Sequence, residues 1–240
     1  MNIIRRIVGW ALLFAPFSAC GYVNYSELYE GEFSGSLFVM WVTENETGSG
    51  DGKFVFVPNP RNPLIFTRRN PDATLTTIQP GMMYTDGGSI PRPTQFFRGF
   101  SPWGYAPAYM VHDWLFVARH CITDNDARPE ELPVAKMSFQ ESAEVIGEAI
   151  KTLIAAGKVQ GNDVAPSVIS GAVAGPISYR RWVIEGACHD DRVTPKHEAE
   201  ARSGIPGTLR SQKGIRVETL SDGSRAKVSP AQFVTEISFD

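Results

Sequence analysis

Apolar residues run almost unbroken through Phe33–Thr43, FSGSLFVMWVT, a β-branched and aromatic stretch that reads as a strand. TENETGSGDGK, rich in Gly and turn formers, separates it from a second strand, FVFVP, and the shorter runs PLIFTRR and TLTTIQP follow. Prolines at 58, 60, 63, 71 and 80 favour edges and turns over long central strands. The expectation is a small antiparallel sheet over residues 33–80.

The period then changes to helical. In APAYMVHDWLFVARH, Pro107 sits near a first turn, and apolar residues at 110, 111, 114, 115 and 117 cover much of the circumference, predicting a buried helix. SFQESAEVIGEAIKTLIAAG has the spacing of a capping box at Ser138 and Glu141. Its apolar face is Phe139, Ala143, Ile146, Ile150 and Leu153, and Gly157 stands at the C-cap position. APSVISGAVAGPISYRRWVIEGA predicts a third helix, kinked at Pro176. Beyond Cys188 the chain turns polar, then IRVETLSDGSRAKV predicts a hairpin about Asp-Gly and QFVTEISF a last strand. The fold expected is α+β: the small antiparallel sheet and a C-terminal hairpin, packed with about three helices. Residues 33–190 form the α+β domain, and 191–240 a polar extension that returns to the sheet or lies on the surface.

The first residues change the setting. Arg5 and Arg6 precede a short apolar run, Ile7–Phe17, too short to cross a bilayer, which takes about 20 apolar residues. Ser18 and Ala19 then lead to Cys20. This arrangement resembles a bacterial lipobox, although Phe17 stands where Leu is usual; the alternative is ordinary cleavage near Ala19. The resemblance implies a signal peptide over 1–19, acylation of Cys20 and a lipidated tether over 20–32. The expected location is the cell envelope, facing the periplasm, with the outer membrane favoured and the membrane as a partner through the anchor. Losing Arg5 and Arg6 with the leader takes the net charge from −3 to −5, an acidic balance that argues against nucleic acid as a partner. With Cys20 assigned to lipid, Cys121 and Cys188 remain as an even pair, and a bridge between two helix ends suits an oxidising compartment.

Candidate chemistry concentrates in MYTDGGSIPRPTQFFRGFSPWGYAPAYMVHDWLF. Burying His112 and Asp113 among Met110, Val111, Trp114 and Leu115 is costly unless each is paired. Adjacent helical positions diverge by about 100°, which predicts a separate partner for each rather than a His-Asp dyad. Upstream, Asp86-Gly87-Gly88-Ser89 can approach a ligand closely and offers hard oxygen ligands of the kind Ca²⁺ accepts. A structural reading stands beside this one: Asp86 and Ser89 cap the turn, and Arg92 pairs with Asp113 or Asp86. CHDD at 188–191 has no second ligand pair at a familiar metal spacing. His120 lies at a helix end where positive charge is favoured, and His197 falls in a polar, solvated stretch. TDNDARPEE lacks the glycine and spacing of an EF-hand, and no serine occupies a G-x-S-x-G elbow.

IQPGMMYTDGGSIPR, followed by AYMVHDWLF and a helix ending AIKTLIAAG, resembles domain-of-unknown-function family 1353, found in bacterial and phage proteins. That family pairs T-D-G-[AG]-S-I-P with H-D-x-L-[YF]; the resemblance spans roughly Leu64 to Gly157 and implies a fold neighbourhood without an activity. The order of Gly-rich loop, His-Asp helix and second helix is also similar to secreted phospholipase A2. That similarity implies His112 as general base, Asp113 as a Ca²⁺ ligand and Gly87 and Gly88 as the metal loop. An acid on the second helix would orient the histidine; Glu141 and Glu144 stand there, where those enzymes carry Asp, and their disulfide pattern is absent. Two functions follow as expectations: an envelope hydrolase, Ca²⁺-assisted through Asp113 and Asp86, acting on an ester or envelope component, or a non-catalytic envelope or phage-type assembly module.

Overall fold

The computed structural model describes residues 22–43, 52–85, 105–159, 169–171, 173–208 and 214–239. Cys20, Asp86, Gly87, Gly88, Ser89 and Arg92 lie outside the described residues. The protein is α+β, with nine strands and five α-helices among the described residues. A four-stranded antiparallel sheet carries β2 (Ser36–Thr43), β3 (Gly52–Pro58), β6 (Met83–Thr85) and β9 (Gln232–Ser238), in the order β6-β3-β2-β9. β1 (Glu32–Ser34), β4 (Ile65–Thr67) and β5 (Thr77–Ile78) form a smaller sheet, ordered β1-β4-β5. β7 (Arg216–Thr219) and β8 (Arg225–Val228) make the Asp222-Gly223 hairpin. Gly35, at φ +78°, turns the chain from β1 into β2, and the Pro63 carbonyl stands where a Cβ would be, so the turn takes only glycine.

β2 is buried on both faces, which explains its unbroken apolar sequence. Leu37 and Val39, with Phe56 opposite Val39, face the main core under α1 (Ala106–Thr123) and α2 (Phe139–Ala155). Phe38, Met40 and Val42, with Val55 and Val57, face a second core closed by Val193, Ala201, Ile205 and Ala231. The second core requires a helix in the stretch expected to be a polar extension: α5 (Pro195–Gly204), with the Thr194 hydroxyl accepting the His197 N–H at 3.3 Å. β9 completes the sheet by pairing with β2 from Ser36↔Ser238 to Trp41↔Gln232. The described residues 191–208 and 214–239 are therefore built into the sheet and its outer layer.

Two helix readings change. The chain does not kink at Pro176; a new helix, α3 (Pro176–Trp182), begins there, with Gly175 extended at the N-cap and Pro176 in the first turn, where its missing N–H costs nothing. α4 (Cys188–Asp191) is a single turn. At α2 only half of the capping box forms. Ser138 Oγ accepts the Glu141 N–H at 3.0 Å, but the Glu141 carboxylate turns away to accept Thr74 N at 2.7 Å and Arg68 Nη1 at 2.5 Å. Arg68, fully buried, also grips Glu148 through two parallel hydrogen bonds of 2.7 and 3.0 Å. Burial alone would raise the Glu141 pKa; the hydrogen bonds from Thr74 and Arg68 outweigh it and hold the carboxyl below its usual range.

Removing Arg68 leaves two carboxylates buried without their cation, so Arg68→Ala is expected to destabilise the fold by roughly 3–5 kcal/mol in urea denaturation. Arg69→Ala breaks only an exposed pair with Glu32 and is expected to cost less than about 1 kcal/mol.

Candidate functional site

α1 is a buried helix: Ala106 to His112, Trp114, Leu115, Ala118, His120 and Cys121 are all buried. At 3.6 residues per turn, Tyr105, Tyr109, His112, Asp113 and Phe116 fall on one side of it. The hydroxyls of Tyr105 and Tyr109 and Nε2 of His112 are buried and have no hydrogen-bond partner among the described residues. The two phenol rings meet edge to face at 6.3 Å, and the His112 ring lies 5.0 Å from Phe116. Burial, then the nearby Tyr105 and Asp113, push the Tyr109 pKa up, and burial pushes Tyr105 up, so both phenols stay protonated donors. Tyr25, half-buried nearby, is pushed up to about 12 by burial and by Tyr105 and Glu30.

His112 and Asp113 do form a dyad, contrary to the expectation from helical geometry: Nδ1 of His112 is 3.1 Å from Oδ1 of Asp113. Diverging Cα–Cβ vectors do not prevent it, because Nδ1 is the ring nitrogen nearer the backbone and a short carboxylate can lean along the helix to meet it. With Nδ1–H donated to Asp113, the lone pair is left on Nε2. An oriented base, with phenol donors on the same side of its helix, has the groups needed to take a proton from water and to stabilise negative charge developing on an attacked oxygen.

Neither acid expected to orient the histidine does so. Glu141 is bound by Arg68 and Thr74, and Glu144 accepts Gln140 Nε2 at 2.8 Å. Asp113 takes that role from the next residue. Among the described residues no three His, Cys, Asp or Glu side chains converge. Asp113 is the one described member of the expected ligand pair, and its Oδ1 is bonded to His112.

The other candidates are structural. Cys121 and Cys188 are joined by a disulfide with Cα atoms 4.6 Å apart, and closing that loop stabilises by roughly 4 kcal/mol in the chain-entropy model. CHDD is thus no metal ligand set: Cys188 is bridged and Asp191 bonds His120. His120 is buried rather than merely near a helix end, with Nδ1 2.5 Å from Asp191 Oδ2 and Nε2 2.5 Å from the Arg181 carbonyl oxygen. Both partners accept, so both ring nitrogens carry protons. Burial lowers the His120 pKa, but the bonds to Asp191 and Arg181 outweigh it and raise it above the usual value. His197 is also buried, not solvated, with Nδ1 2.7 Å from the Tyr84 hydroxyl.

Tyr105 and Tyr109 escaped the sequence reading, though their spacing from His112 on a buried helix was a usable signal. No spacing could reveal the Asp191 partner of His120, 71 positions away. No family model, curated protein or solved structure matches the chain.

A histidine held above its ordinary value contributes stability that is complete below about pH 6.5 and is lost as pH rises through the folded-state value. His120→Gln should therefore lower the urea midpoint most near about pH 5.5, and the gap to wild type should narrow toward about pH 9.

Proposed function

We propose that this protein is an exported, lipid-anchored hydrolase of the cell envelope, using His112 as a general base oriented by Asp113. The observation that carries the reading is the group of three buried, unpartnered polar atoms on one side of α1, beside a paired histidine. A buried donor or acceptor without a partner costs about 1–3 kcal/mol, and a fold keeps such groups where a ligand completes them. In this mechanism Nε2 takes a proton from water as the water attacks a carboxyl or phosphoryl centre. The Tyr105 and Tyr109 hydroxyls donate to the oxygen that gains charge. The proton then passes from His112 to the leaving oxygen, and Asp113 keeps the imidazolium in place.

The disulfide between Cys121 and Cys188 supports export, since such bonds persist in oxidising compartments. No described helix is long and apolar enough to cross a membrane, so attachment is assigned to Cys20. The TDGGSIPR and HDWLF motifs support placing the protein beside domain-of-unknown-function family 1353.

Against a panel of carboxyl ester, phosphodiester and peptidoglycan substrates, His112→Leu is expected to lower turnover by about 10²–10⁴-fold. The same change removes an orphaned nitrogen, so the melting temperature is expected to hold or rise. A folded wild type that turns over nothing, with His112→Leu melting well below it, would sink the reading and favour a non-catalytic assembly module. For the anchor, Cys20→Ala is expected to move the protein from the membrane to the soluble fraction, and the mature N-terminal peptide should carry the mass of its acyl chains.

A further inference from the structure

The short helix α3 has its faces reversed for a helix bathed in water. Its inner side packs on aromatic rings: Trp182 lies 5.1 Å from Phe116 and 6.3 Å from Phe139, and Tyr179 meets Phe139 at 5.3 Å. The opposite side, at i, i+3 and i+4, presents Ile177, Arg180 and Arg181, and Val183 and Ile184 follow in the turn after the helix. Ile177 is 76% exposed, Ile184 48% and Val183 46%. Exposed aliphatic side chains here stand beside two exposed arginines.

The start of the described chain lies on the same side of the molecule. The Tyr22 N–H donates to Gln140 Oε1 at 2.9 Å, and Gln140 Nε2 donates back to the Tyr22 carbonyl at 2.8 Å. Gln140 follows Phe139, the ring on which Tyr179 and Trp182 pack. Cys20 is two residues upstream, a reach of at most about 7 Å. An acyl chain on Cys20 would therefore start within that reach of the Tyr22–Gln140 contact.

We propose that α3 and the turn after it are a bilayer-docking face, with Ile177, Val183 and Ile184 at headgroup depth and Arg180 and Arg181 against lipid phosphates. The proposal rests on the reading of Cys20 as the anchor. The pieces complement one another: a small patch binds a membrane weakly alone, but tethering makes its docking intramolecular and raises its effective concentration. Guanidinium groups match phosphate oxygens in charge and geometry.

The test is hydroxyl-radical footprinting of the full-length, membrane-purified protein on vesicles of phosphatidylethanolamine and phosphatidylglycerol, compared with the protein free of vesicles. Ile177, Val183 and Ile184 should show a severalfold loss of oxidation on vesicles, while Phe233 and Val234, exposed on β9, should not change. The doubly substituted Ile177→Glu, Ile184→Glu protein should stay vesicle-bound through Cys20 but lose the protection. Equal oxidation of both patches on anchored protein overturns the docking face and leaves the anchor standing. If the N-terminal peptide carries no acyl mass, the anchor reading fails instead, and vesicle flotation decides the face: binding lost in the double variant supports it, and no binding by wild type overturns it.

Discussion

The buried guanidinium of Arg68 is the contact on which the rest of the arrangement depends. Arg68 follows the last residue of β4, the central strand of the smaller sheet, and reaches two turns of α2 at once, holding Glu148 with a parallel pair of bonds and Glu141 with a third. One cation between two carboxylates leaves a surplus negative charge, which the Thr74 N–H and hydroxyl and the Asn70 amide help to carry. Such a cluster has one good geometry, so it fixes both the distance and the rotation of α2 against the β1-β4-β5 sheet. α2 in turn forms the bed for α1, and α1 carries the candidate site.

α1 is restrained differently at its two ends. Its C-terminal turn is over-determined: the disulfide, His120 between Asp191 and Arg181, and the Asp124 carboxylate accepting the N–H groups of Gly186 and Cys188 all tie it to the 181–192 segment. The hydrogen bonds to Gly186 and Cys188 also hold Asp124 below its usual pKa. Its N-terminal half has packing but no such polar ties among the described residues, and the unpartnered hydroxyls and imidazole nitrogen belong to that half. Stability is concentrated at one end of a rigid element while the other keeps its hydrogen-bonding capacity open. This division suits a site built on a helix rather than on a loop.

Much of the architecture was legible in the sequence, and the failures have physical causes. The strands from β2 to β5, α1, α2 and the Asp-Gly hairpin announce themselves through period and turn chemistry, whereas β6 lies beyond the expected sheet. α5 does not, because the positions it buries are largely small or polar residues such as His197, Glu200, Ala201, Ser203 and Gly204, and periodicity arguments weight large apolar side chains. Pro176 was read as a kink because small residues continue on its N-terminal side, while the extended Gly175 before it makes it a start. At the candidate site, HDWLF drew attention to His112 and Asp113. Their pairing was misjudged because backbone vectors were used where side-chain reach decides. Glu141 was assigned by local capping logic, and a distant arginine outcompeted the local partner.

The order of the central sheet bears on how the chain reaches this state. β2 is an inner strand, yet one of its neighbours, β9, is the last strand of the chain, so the pair closes across some two hundred residues. Until β9 arrives, one edge of β2 stands open, with unpaired backbone groups beside Phe38, Met40 and Val42. The second core is equally incomplete, since α5 and Ala231 also come late. Folding that proceeds from the N-terminus during synthesis therefore carries an unfinished sheet until the final strand emerges, and the whole architecture seals only then.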